Sequence, residues 1–175
     1  MKKINTPLME NVIADLKAGD EVLLSGVIFT ARDQAHLKLC ELIGQNEDLP
    51  VNIAGQVIYY CGPTPSADRV IGSCGPTTSS RMDPFTPPLL KKGVKGMIGK
   101  GRRSSGARDA IVREKAIYFA APAGAGAYLN GKVTSCEVVA FPDLGPEAMH
   151  KLTVKDFPLI VVIDAFGNDI YARFN

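Results

Sequence analysis

The sequence holds no apolar run long enough to span a bilayer. Its amino terminus lacks the apolar core of a secretory signal: Met1-Lys2-Lys3 is basic, but Ile4 to Asp15 is broken by Asn, Thr, Pro and Glu. Those absences lead to the expectation of a cytoplasmic protein. Strong charge of either sign is missing too, since 20 basic against 18 acidic residues leave only +2, too even to draw nucleic acid by bulk field. The four cysteines, Cys40, Cys61, Cys74 and Cys136, include no pair at metal-ligand spacing, so a zinc ribbon or ferredoxin-type cluster motif is absent. With no secretory signal, each reads as a small buried apolar residue, and only Cys74 stands in a segment of unusual composition. No internal repeat or low-complexity stretch occurs. Ala121 to Ala127 is rich in small residues, yet it lacks GxGxxG spacing and an acidic residue after a following strand, which sets aside a Rossmann reading.

What is present fits one globular domain over residues 1–175, with 46% hydrophobic and 22% charged residues. Residues 1–19 read as an N-terminal arm with a short helical stretch. The densest concentration of chemistry is Gly72 to Asp83, GSCGPTTSSRMD, which reads as a loop opening into a helix. Thr77, Thr78, Ser79 and Ser80 are good N-cap residues, and such a helix would aim free N–H groups and its positive dipole end at an anion. Arg81 adds a planar charged fork on the same side. An ordinary capped helix with a surface arginine is the plainer alternative.

Around that stretch the chain alternates. Glu21–Leu24 and Val27–Thr30, separated by Ser25-Gly26, predict two strands or one bulged strand. Ala35, Leu39, Leu42 and Ile43 fall at helical spacing, with Gly44 as a C-cap. Gln56–Cys61 predicts a strand ending at Gly62-Pro63. Lys95–Ile98 predicts another, ending at Gly99-Lys100-Gly101, where flanking glycines let backbone approach a ligand. Ser104–Arg113 reads as a helix and Ala116–Ala120 as a strand. Further on come a strand over Val133–Phe141, a short helix over Gly145–Lys151, and a final hairpin of Leu159–Asp164 with Ile170–Phe174 around Gly167-Asn168. This pattern predicts a layered α/β domain with a mixed sheet. Between Lys91 and Arg113 lie eight Lys or Arg residues against one acid, Asp109. That segment is compatible with a solvated face, a nucleic-acid patch or the wall of a site for an acidic metabolite; its sparse aromatics argue against base stacking.

Three polar features now stand at ends of apolar strands: Thr30-Ala31-Arg32-Asp33 with His36, Thr77 to Arg81, and Gly99-Lys100-Gly101. Strand ends are where α/β sheets bind ligands. Two arginines and a lysine there suit a small dicarboxylate, and the same cations would help a threonine hydroxyl give up its proton.

At this point the sequence resembles a family. TARDQAH at 30–36, GPTTSSRMD at 75–83, IGKG at 98–101 and DFPLIVVIDAFGND at 156–169 are similar to the C-terminal region of class I, iron–sulfur fumarate hydratases and to the β subunit of L(+)-tartrate dehydratases. The resemblance implies a swivelling β/β/α domain and a hydro-lyase that hydrates fumarate to L-malate with a [4Fe–4S] cluster as Lewis acid. It implies that the cluster is ligated by a separate α subunit and not by this chain. By the same resemblance Arg32, Arg81 and Lys100 bind substrate carboxylates and Thr77 moves the proton at the substrate carbon. His36 matches a histidine suggested as catalytic in the tartrate branch; the alternative is a structural histidine bonding a backbone carbonyl or Asp33. Ala31 resembles the fumarase branch, whereas the tartrate branch commonly carries cysteine there. His150 departs from the tryptophan of many relatives. Two rival classes are a non-catalytic domain that closes over a partner's cluster and a stand-alone anion-binding domain.

Overall fold

A computed structural model of the protein describes residues 1–122 and 124–174. Ala123, inside the small-residue turn noted above, lies outside the described residues. The chain enters through a strand β1 (Lys2–Asn5), a helix α1 (Glu10–Asp15) and a long strand β2 (Glu21–Thr30), with β1 parallel to β2. Three parallel crossovers follow: β2 to β3 (Val57–Tyr59) through α2 (Asp33–Gly44), β3 to β4 (Gly96–Gly99) through α3 (Thr86–Lys91), and β4 to β5 (Ile117–Ala120) through α4 (Ser105–Arg113). After α5 (Gly126–Asn130) come β6 (Val133–Ala140) and the long β7 (Met149–Ile163). Strand β7 runs antiparallel to β2 over Lys151–Ile160, to β5 and to β6. Because it joins both β2 and β5, the mixed sheet closes into a five-strand barrel, β2-β3-β4-β5-β7, with β1 and β6 appended. Alternation of strands and helices predicts the mixed sheet; closure is what it leaves out.

Period-2 alternation sorts the core into two bodies. Val57, Tyr59, Ile98, Ile117 and Phe119 belong to one apolar cluster with Leu24, Ile28, Phe157 and Val161. The alternate residues Ile58, Tyr60, Met97 and Tyr118 belong to the other, with Leu39 of α2, Leu89 and Leu90 of α3, and Ile111 of α4. The face covered by three helices is the barrel's outside, so the first cluster is its interior. Residues 2–16 are integral to it: β1 joins the sheet, and Leu8, Ile13 and Leu16 are buried in the interior cluster. Ile71, Cys74 and Leu129, from segments beyond the carboxyl ends of β3 and β5, belong to that cluster as well.

Local chemistry explains the element ends. Strand β2 is single, with a register shift between Leu24 and Gly26. Gly26 sits at φ 112° and so close to Thr6 that a side chain there would strike it. Ser104 caps α4 by accepting from the Ala107 N–H at 3.2 Å. Three sequence-based expectations fail. Thr77 to Ser80 do not cap an α-helix: the backbone stays extended to Thr78 and then forms a 3-10 helix, Ser79–Phe85, with no side-chain cap. Pro84 inside it brings no N–H, and the preceding N–H groups are taken by neighbouring strand ends. Gly145–Lys151 is not a helix either, because Gly145 kinks a short 3-10 segment (Pro142–Glu147) and β7 begins at Met149. The final hairpin is reduced to a single antiparallel bridge between Ile163 and Asp169. Leu159 and Ile160 pair with β2, while Asp164 accepts from the N–H groups of Phe166 and Asn168 and turns the chain into a 3-10 segment, Ile170–Phe174.

Candidate functional site

The carboxyl ends of the parallel strands β2, β3 and β4 lie side by side, and each delivers one part of the polar cluster. The Ala31 N–H donates to the Tyr59 carbonyl at 3.1 Å, fixing where β2 ends relative to β3. Arg32 follows at once. Its guanidinium lies over Gly62, where any Cβ would stand 3.3 Å from Arg32 Cδ and Nη1 and 2.9 Å from the Pro146 carbonyl, so glycine is what lets the arginine lie down there. Between β3 and β4 the 77–79 segment continues the sheet: the Thr77 N–H donates to Tyr60 at 2.7 Å, the Ser79 N–H donates to Lys100 at 2.9 Å, and Thr78 and Lys100 form a parallel bridge. Thr77 is therefore held by backbone pairing, not by a helix cap. Gly99 permits the approach, since a Cβ on it would overlap Ser79 Oγ.

Electrostatics bring the two arginines together. Asp33, at the start of α2, takes a two-pronged bond from Arg81, Nε to Oδ1 at 3.0 Å and Nη2 to Oδ2 at 2.8 Å. That fork holds the Asp33 carboxyl below its ordinary pKa. Arg32 Nε stands 4.0 Å from the same carboxylate and 3.9 Å from Glu147, and it is buried without a hydrogen bond among the described residues. Lys100 is exposed and makes no ion pair among the described residues. Arg81 is 46% and Arg32 32% exposed, so the cationic cluster lies on an open face.

His36 sits one turn below that face and is fully buried. Its Nδ1 lies 2.8 Å from the Arg32 carbonyl, which only accepts, so Nδ1 carries the proton. Tyr60 and Phe85 pack on its ring, and burial pushes its pKa down to about 4, leaving it neutral at pH 7. The geometry is that of a residue buttressing the Arg32 backbone. Ala31 is also buried, in the outer core, so its side chain faces packing rather than an open site. His150 closes the neighbouring corner: its N–H donates to Thr30 Oγ1 at 3.0 Å, and Nδ1 lies 3.0 Å from the Ala148 carbonyl.

Cys61 and Cys74 are buried in the barrel interior with their Sγ atoms 3.2 Å apart, and burial pushes the Cys61 thiol well up. Cys40 lies on α2 with its thiol toward the Phe85 carbonyl. Among the described residues no three His, Cys, Asp or Glu side chains come together to hold a metal ion. No helix among them is long and apolar enough to cross a membrane.

Sequence reasoning missed what supports the cluster. Beneath the 77–81 segment, Arg103 is buried with its side chain 0% exposed, and its Nε donates to Asp83 at 2.5 Å. Nothing in GKGRRSS tells Arg103 from the exposed Arg102 beside it. Glu147, which faces Arg32, was hidden in the segment read as a helix.

A family model described as Fumarase C-terminus matches residues 2–174, over nearly the whole of this architecture. The chain belongs to that family. It is 37% identical over 176 residues to the aerobic class I fumarate hydratase of Escherichia coli, covering 97% of this chain and 32% of that protein. To the L(+)-tartrate dehydratase β subunit of Escherichia coli it is 35% identical over 180 residues, covering 99% and 88% respectively. Fumarate hydratase 2 of Leishmania major is 35% identical over 164 residues, with 29% of its length matched. The chain thus spans about a third of the length of these fumarase C-terminus relatives that are fumarate hydratases, and most of the length of the β subunit. The family is one of hydro-lyases of the fumarase and tartrate dehydratase kind.

Proposed function

We propose that this chain is the β-type part of an iron–sulfur hydro-lyase that adds water reversibly to fumarate to give L-malate, as a swivelling β/β/α domain working against a separate α subunit. The observation that carries the reading is the open row of strand ends on which Arg32, Thr77, Arg81 and Lys100 stand together without a covering surface. Arg32 and Arg81 already meet over one carboxylate, that of Asp33, and Arg32 Nε makes no hydrogen bond among the described residues. A substrate carboxylate can compete with Asp33 for the two guanidinium groups and draw Arg81 from it. Lys100 offsets the charge of the second carboxylate. Thr77 Oγ1–H is the proton donor: in hydration it gives its proton to the carbon beside the one that receives the hydroxyl, and the surrounding cations steady the oxygen until a proton returns.

The cysteines of this chain do not fit an iron–sulfur cluster, so the cluster belongs on the α subunit, whose surface would also cover the open face and exclude water. Correspondence with most of the length of a tartrate dehydratase β subunit supports L(+)-tartrate as a second substrate reading.

The test is anaerobic co-purification with the α subunit, then fumarate hydration and L-tartrate dehydration by each chain alone and by the complex. The expected result is activity only in the complex, on fumarate, with large losses in Thr77→Ala and Arg81→Ala. Unimpaired variants would reduce this chain to a cover for its partner's cluster, and preference for tartrate would keep the site while overturning the choice of acid.

A further inference from the structure

Under the candidate site lies a buried polar network that links the two segments on which the site stands. Asp83 closes the Thr77–Arg81 segment and Arg103 follows Lys100, so the two belong to opposite halves of the cationic row. Both oxygens of Asp83 are committed across that divide: Oδ1 accepts from Arg103 Nε at 2.5 Å and Oδ2 from the Ser104 N–H at 2.6 Å. Arg103 is held on every side. Its Nη2 donates to Thr86 Oγ1 at 2.7 Å and reaches the Tyr60 hydroxyl at 3.4 Å, and its guanidinium lies 4.9 Å from the Tyr118 ring centre. The Tyr118 hydroxyl makes a second tie, bonding Ser79 Oγ at 2.9 Å and the Gly101 carbonyl at 2.8 Å. Ser79 and Gly101 again belong to opposite halves.

We propose that Asp83 and Arg103 are positioning residues, a clamp that fixes the distance between the Arg81 segment and the Lys100 segment and so matches the site to an acid with two carboxylates. This rests on the assignment of Arg81 and Lys100 as carboxylate ligands. The physical reason for the clamp is geometric. Burying two charges does little for net stability compared with apolar residues of the same volume, but a planar guanidinium that bonds Asp83 through Nε and Thr86 through Nη2 at once fixes angles as well as distance. A lysine would keep the charge and lose the fork. Beyond the clamp, Arg81 is held by Asp33 and Lys100 reaches into solvent.

The experiment uses the complex with the α subunit and compares Arg103→Lys with the paired replacement Asp83→Leu/Arg103→Met, which removes the buried charges together so that neither is left without the other. The readouts are melting temperature, kcat and KM for fumarate per cluster-loaded complex, and inhibition by a monocarboxylate, which engages one segment only. The expected result is a fold that melts near the parent, a drop of about 100-fold in kcat/KM for the dicarboxylate, and unchanged inhibition by the monocarboxylate. Arg81→Ala and Lys100→Ala run alongside. If those two raise KM while the clamp variants keep full kcat/KM per loaded complex, the pair is structural only and the clamp is overturned. If Arg81→Ala and Lys100→Ala leave KM unmoved, the carboxylate assignment itself falls and the clamp falls with it.

Discussion

Thr77 has to be judged by what holds it and by what surrounds its oxygen. Its backbone is fixed by the bond to Tyr60, so replacing the side chain leaves the segment in place, and the hydroxyl can be tested alone. Thr77→Val, which keeps the branched shape, is expected to lower kcat of the complex by about 2–4 orders of magnitude, while Thr77→Ser retains most of it; steady-state rates on fumarate check this. Arg81 invites a different test. A lysine in its place cannot make the two-pronged bond to Asp33, so Arg81→Lys is expected to raise KM for fumarate by about tenfold or more, with kcat less affected. Arg32, Thr77, Arg81 and Lys100 stand out in the sequence because motif-bearing polar residues follow apolar strands, and the fold brings the ends of those strands side by side. Their neighbours do not. Asp83 and Arg103 carry ordinary surface residue types, and only packing against Tyr60 and Tyr118 shows that they are inside.

Among elements, α2 shows how a helix can set the state of a site. His36 on its first turn is buried and neutral, with its folded pKa lowered to about 4 from 6.5. A histidine of lowered pKa takes up its proton in the unfolded chain first. The contribution of His36 to stability is therefore expected to be constant above about pH 6.5, to fall by about 3 kcal/mol as the pH drops from about 6.5 to 4, and to level off below that. Denaturant titrations across that range check it, and His36→Gln should flatten this part of the slope. Helices α2 and α4 and strands β2, β4 and β5 were readable because each carries its own period and its own stop signal. The segments 79–85, 145–151 and 170–174 depart from their local pattern for different reasons. Pairing with Tyr60 and Lys100 holds the start of the first, β7 takes residues 149–151 by pairing with β6 and β2, and the Asp164 carboxylate turns the chain before the last.

At the scale of the whole molecule, the closed barrel makes the two core bodies depend on each other, because every barrel strand is shared between them. Phe157, fully buried in the interior, makes a T-shaped contact with Tyr59 across the barrel. Phe157→Ala is expected to cost about 3–5 kcal/mol, and tyrosine fluorescence and circular dichroism should report one shared transition. Closure itself was not legible, since it is a relation between residues 21–29 and 151–160 that no local window contains. That relation reaches beyond the folded state to the chain's manufacture. On a ribosome, β2 emerges early and then waits for more than a hundred further residues before β7 appears to seal it, a delay of several seconds at about 5–20 residues per second. Throughout that interval the edge of β2 is open to unwanted pairing, and a folding helper that shields it would have work to do only until the last strand leaves the exit tunnel.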